Sequence, residues 1–169
     1  MAVKFTSDLH LLHRTILKYR TQFATVLEHD QFMLDKIAQL TKRDTLFVIG
    51  DFIFEDPNFA FYINQIRKMP CHIKLLLGNH DSLRCHNSLS DNIELMLPIV
   101  NYKALWLSHC PIHPSQFRER KGNIHGHLHE ERIDDPRYLN VNIDVNNYEF
   151  VPLEQIQEHF KLGKQHDTN

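Results

Sequence analysis

The chain has 169 residues, 42% hydrophobic and 24% charged, with a net charge of −2, the make-up of one soluble globular domain with room for a sizeable core. That charge argues against a dedicated nucleic-acid binder, which would present a basic face, and no apolar stretch is long enough to span a bilayer. Three cysteines, Cys71, Cys85 and Cys110, form no paired framework; with no apolar leader before the first strand, they point to a reducing, cytoplasmic setting.

Val3 to Thr6 reads as a short buried strand ending at Ser7-Asp8. Asp30 is placed to cap a helix to about Arg43, with Met33, Ile37 and Leu40 on one face. Leu46 to Ile49 is a continuous apolar run closed by Gly50, the pattern of a strand buried on both faces. Asp56-Pro57 marks a helix start with proline at the first helical position, and Phe59, Tyr62, Ile63 and Ile66 form its apolar face. Ile73 to Leu77 is the next strand, ending at Gly78, and residues 82–97 read as a loop followed by a short helix through Ile93 to Leu97. Leu105 to Leu107 lead into Ser108-His109, and 110–121, with two prolines and the basic run Arg118 to Lys121, reads as an exposed loop. Leu139, Val141, Ile143 and Val145 alternate with polar residues as one strand, and Pro152 precedes a last helix with Leu153, Ile156 and Phe160 inward. Early strands alternate with helices, so the class is α/β, in a single domain over residues 1–169 whose last residues are frayed.

Five segments ending in metal-ligand residues follow these runs: Asp8-Leu9-His10, Gly50-Asp51, Gly78-Asn79-His80-Asp81, Ser108-His109 and Gly126-His127-Leu128-His129. In an open α/β sheet ligands collect at the carboxyl ends of strands, so separate loops can converge there. Asp8 and His10, two apart, aim two donors at one volume if the chain is extended, and so do His127 and His129. Oxygen and imidazole donors suit divalent manganese, iron, nickel or zinc.

In order and type these blocks resemble the calcineurin-like metallophosphoesterase superfamily, in particular its compact bacterial and phage-type members. The resemblance implies two mixed β-sheets packed as a four-layer sandwich flanked by helices. It implies two divalent metal ions, manganese first among them. Asp8, His10, Asp51 and His129 would hold one, and Asp51, Asn79, His109 and His127 the other, with Asp51 bridging. It also implies attack on phosphorus by a hydroxide between the ions, with His80 as general acid and Asp81 orienting it. His13 and Arg14 follow the first block closely and are candidates to reach the substrate. The arginines that flank the corresponding blocks of protein phosphatases are absent: the neighbourhoods read Phe52-Ile53-Phe54-Glu55 and Leu75-Leu76-Leu77.

Two such ions, two aspartates and a hydroxide leave a charge of about +1, which suits a phosphodiester anion. The expected activity is therefore a phosphodiesterase acting on a small nucleotide or a nucleic-acid end. A general phosphomonoesterase and a catalytically silent protein-binding scaffold are the alternatives. No stable nucleic-acid complex and no membrane association are expected, and pairing into a homodimer is open. His125 is read as structural and Cys110 as a small packing residue.

Overall fold

The computed structural model describes residues 1–81 and 92–166. Its strands are β1 (Val3–Thr6), β2 (Thr45–Ile49), β3 (His72–Leu76), β4 (Ile93–Leu95), β5 (Ile99–Tyr102), β6 (Leu105–Ser108), β7 (Gly122–His125), β8 (Tyr138–Asn140) and β9 (Val151–Pro152). The helices are α1 (Val26–Ala38), α2 (Phe59–Ile66) and α3 (Leu153–His166). One sheet has the order β4-β3-β2-β1-β9, parallel except for β9, and the other has the order β5-β6-β7-β8, parallel except for β5. Both sheets are thus mixed, as expected.

The apolar run of β2 divides its side chains by alternation. Leu46 and Val48 join Met33, Ile37, Ile63 and Ile66 in a core under α1 and α2. Phe47 and Ile49 join Leu107, Ile124 and Val141 between the sheets, where Phe5 stacks on Phe47 at 4.8 Å. A strand buried on both faces can afford no polar position, so its sequence is apolar without a break. α3 sends Ile156 and Phe160 into the core between the sheets. The outer face of the second sheet is covered by the 110–117 segment, with its 3-10 turn Pro114–Gln116. Asn123 accepts from the Ile112 N–H, and the Tyr138 hydroxyl donates to the Ile112 carbonyl. No helix among the described residues is long and apolar enough to cross a membrane.

Several element boundaries differ from expectation, each for a physical reason. α1 starts at Val26, capped by Thr25, whose hydroxyl accepts from the Glu28 N–H while Glu28 reaches back to the Ala24 N–H. The pattern Thr-x-x-Glu is a capping box, whereas Asp30 lies buried inside the helix and α1 ends at Ala38. α2 begins at Phe59, after Asp56 has taken the Asn58 N–H in a turn. Ile93–Leu95 is a strand paired to β3, not a helix. β8 stops at Asn140, because the Asn140, Asn142 and Asn146 side chains bond to nearby backbone and turn the chain. Val141 and Ile143 remain buried beyond its end. The reading of 82–91 as a loop and of the last residues as frayed falls outside the described residues, apart from the end of α3.

Candidate metal centre

All five blocks lie at the carboxyl ends of parallel strands: Asp8 after β1, Asp51 after β2, Asn79 after β3, His109 after β6, and His127 and His129 after β7. The chain is not extended there. Asp8, His10, Asp51, His127 and His129 have φ of 58°, 52°, 52°, 68° and 47°, in the left-handed region, which costs such residues of order 1–3 kcal/mol each. Alternating left-handed residues, rather than strand geometry, bring the His10 ring over the Asp8 carboxylate. The first two blocks are sewn together by Asp8 N–H to Gly50 O at 3.0 Å and His10 N–H to Asp51 O at 2.9 Å. Gly50 (φ 83°) is required, since a Cβ there would run into the His109 ring.

Two half-sites share one oxygen. His10 Nε2 lies 3.8 Å from both Asp8 Oδ1 and Asp51 Oδ2. On the other side His109 Nε2 lies 3.3 Å from Asp51 Oδ2, 3.0 Å from Asn79 Oδ1 and 3.3 Å from His127 Nδ1. Asp51 Oδ1 is taken by the His80 N–H, so Oδ2 alone faces both imidazoles. Asp51 is thus the residue that faces both half-sites.

The donor set fits divalent ions. Buried Asp8 Oδ1 and both His10 ring nitrogens have no hydrogen-bond partner, and such orphans are costly unless a ligand satisfies them. His109 Nδ1–H donates to the Ile49 carbonyl, so Nε2 faces the Asp51 and Asn79 oxygens, an approach that needs either a proton on Nε2 or a cation between them. Two donors about 2.1 Å from one ion stand about 3.0–3.4 Å apart, close to the separations seen. Asp8, His10 and His129 group together, as do Asp8, Asp51 and His109.

Electrostatics agree with this arrangement. Burial drives His10 down to about 2, so it is a neutral donor. Burial works against the Asp51 charge, yet the His109 ring and the His80 N–H prevail and hold its carboxyl at about 2. Burial likewise opposes protonation of His109, but the Asp51 and Asp8 carboxylates raise it. Asp8 is pushed up by burial, so a nearby positive charge would favour its ionised form.

The remaining candidates are distributed as follows. His80 is exposed at the mouth, its ring 5.8 Å from that of His10 and 4.9 Å from Phe54, on which His13 stacks at 3.8 Å. Both Asp81 oxygens accept backbone N–H bonds, from Phe52 and Ile53 on one and from Gly78 on the other. Its observed work is therefore to tie the second block to the third, and no hydrogen bond to the His80 ring accompanies it. The Arg14 side chain is 81% exposed and turns to Asp56. His125 is buried behind the cluster and bonds to the Gly126 carbonyl. Cys110 is exposed, and its thiol groups with His109 and His127 rather than packing. The basic run precedes β7, at the opposite end of that strand from the site.

Sequence reasoning missed the layer beneath. Arg20 is 1% exposed. It pairs bidentately with Asp144, through Nε at 2.8 Å and Nη2 at 2.9 Å, and donates to the Asp8 carbonyl, the Leu9 carbonyl and His29 Nε2. An arginine cannot accept, so the His29 proton is on Nδ1, donated to Asp30. Asp144 also takes His129 Nδ1 at 3.2 Å, which leaves His129 Nε2 for an ion. Only buried polar residues outside any motif, such as His29-Asp30 on an otherwise apolar helix face, hinted at this.

A family model, calcineurin-like phosphoesterase, matches residues 1–167. An uncharacterized protein of Methanocaldococcus jannaschii is 24% identical over 94% of this chain and 90% of its own length. The gene 66 protein of Mycobacterium phage L5 is 32% identical, but over only 46% of this chain and 38% of that protein. Among solved structures, a protein of unknown function from Aquifex aeolicus has a TM-score of 0.69 at 24% identity, covering 93% of this chain and 98% of that one. The nuclease MPE of Pseudomonas putida has a TM-score of 0.51 at 19% identity, covering 75% and 61%. With candidate ligand blocks at the ends of parallel strands in two mixed sheets, and the family model matching residues 1–167, this chain belongs to the calcineurin-like phosphoesterases, hydrolases of phosphoester bonds.

Proposed function

We propose that the chain is a two-metal phosphodiesterase acting on a small nucleotide or a nucleic-acid end, with manganese as the working metal. The observation that carries the diester preference is that, among the described residues, the two arginines after the first block are committed elsewhere. Arg14 is turned to Asp56, and all the donors of Arg20 are committed. A monoester dianion would call for more positive charge than the ions alone provide, and a diester monoanion needs less. The His13–Phe54 stack at the mouth offers a flat aromatic wall on which a base can rest, a contact worth about 1–3 kcal/mol.

Two divalent ions, one held by Asp8, His10, Asp51 and His129 and the other by Asp51, Asn79, His109 and His127, would supply an activated water and positive charge for the phosphoryl oxygens. The chain's own residues do the rest. Asp8 and Asp51 each spend one oxygen on a backbone N–H and keep the other fixed toward the cluster, so little reorganisation is needed during reaction. His80, exposed beside the His10 ring, donates a proton to the leaving oxygen.

The test is hydrolysis of bis(p-nitrophenyl) phosphate against p-nitrophenyl phosphate by protein stripped and reloaded with manganese, alongside Asp51→Asn. Faster diester turnover, reduced about 10²–10³-fold in the variant, is the expected result. Turnover of the monoester alone would replace this reading with a phosphomonoesterase, and two bound ions without hydrolysis of either ester would favour the scaffold.

A further inference from the structure

We propose that Arg20 is a positioning residue chiefly for one half-site, so that the two ions depend on it unequally. The inference rests on the two-ion reading above. All five N–H donors of Arg20 are used, and their acceptors fall on three segments: the Asp8 and Leu9 carbonyls, Asp144 and His29. The two carbonyls belong to the left-handed turn that aims Asp8 and His10. Asp144, fixed in both oxygens by the guanidinium, orients His129 through Nδ1. Arg20 supports all three members of the group Asp8, His10 and His129, and it reaches the group Asp8, Asp51 and His109 only through Asp8.

The other half-site is built differently. His109 is oriented by the Ile49 carbonyl, and the turn carrying Asn79 is pinned by Asp81. Among the described residues, no hydrogen bond or ion pair joins Arg20 or Asp144 to Asn79, His109 or His127. The guanidinium and the Asp144 carboxylate also cancel in charge, so the support is geometric. A lysine would keep the charge but offers donors from a single point. It cannot span a bidentate carboxylate, two carbonyls and an imidazole together.

The experiment is calorimetric titration of the metal-free full chain with Mn²⁺, parent against Arg20→Lys, with thermal melting of both metal-free proteins. The parent is expected to bind two ions. In the variant one binding event weakens about 10–100-fold, the usual cost of losing a partner that orients a ligand, and the other weakens far less. Equal weakening of both events, or of neither, overturns the proposal. A parent that binds fewer than two ions sinks the two-ion reading instead. If Arg20→Lys does not fold, the unmodified protein decides: ¹⁵N-edited spectra should show slowly exchanging Nδ1–H protons on both His29 and His129. Fast exchange at His129 would mean that the relay from Arg20 through Asp144 does not hold the ring.

Discussion

The carboxylate of Asp8 accepts a 3.0 Å hydrogen bond from the backbone N–H of His127, across 119 residues of chain. The first and last blocks therefore close directly on each other before any ion is considered. Oδ2 is used in this closure, and Oδ1 is the orphan that faces the His10 ring.

Asp8→Asn separates these two duties. The amide oxygen can still accept from His127, but the charge is gone, and with it the cost that burial imposes on the carboxylate. The metal-free variant should melt at or above the temperature of the metal-free parent while binding manganese at least about tenfold more weakly. Asp8→Ala should melt lower, because the His127 N–H loses its partner at a cost of about 1–3 kcal/mol. Scanning calorimetry with and without chelator checks all three. A metal-free Asp8→Asn protein less stable than the parent would show that the carboxylate's charge is satisfied by the protein itself.

His80 is exposed at the mouth, and its backbone N–H, not its imidazole, holds Asp51. Its replacement should leave the ligands in place and remove only proton transfer. His80→Ala is expected to cost about 10²–10⁴-fold on a diester with a poor leaving group and far less on p-nitrophenyl esters, whose leaving group needs no proton. Equal losses on the two would remove His80 from the acid role.

The seven candidate ligand positions were legible because each is a donor residue type close after an apolar run. The parallel sheets then placed those ends together. What the sequence hid was anything set by tertiary contact. Asp30 has the chemistry of a helix cap, yet its carboxylate takes the Leu12 N–H and the His29 ring inside α1. The true cap, Thr25 with Glu28 three residues on, was visible as a pattern but competed with Asp30 for the same helix. Leu139 to Val145 alternates like one strand, and the asparagine side chains interleaved with it end that strand early. Arg20 and Asp144 sit 124 residues apart, and no local pattern could have paired them.

Cys110 provides a reporter of ion binding that needs no substrate. Its thiol groups with His109 and His127 and is exposed, whereas Cys71 is buried, with its thiol pushed up to about 11 by burial. In a Cys85→Ser background, iodoacetamide should label Cys110 in the metal-free protein and leave Cys71 unmodified. Manganese should slow that labelling, and Asp51→Asn should abolish the protection. Labelling at the same rate with and without metal, followed by peptide mass spectrometry, would place the thiol outside the ion's reach.

Asp44 gives the fold a pH dependence separate from the site. Its carboxylate accepts from the Ala2 N–H at 2.7 Å, and from the Thr41 N–H and hydroxyl, which ties the start of β1 to the turn before β2. These bonds, the Ala2 N–H first, hold its pKa at about 2 against an ordinary 3.8. A group depressed on folding stabilises above its unfolded pKa and loses that contribution as pH falls through the folded value. The parent should therefore lose thermal stability between about pH 4 and pH 2 by a component that Asp44→Asn lacks. Comparing melting temperatures of the two metal-free proteins across that window checks it. Parallel curves would show that Asp44 has the same proton affinity folded and unfolded.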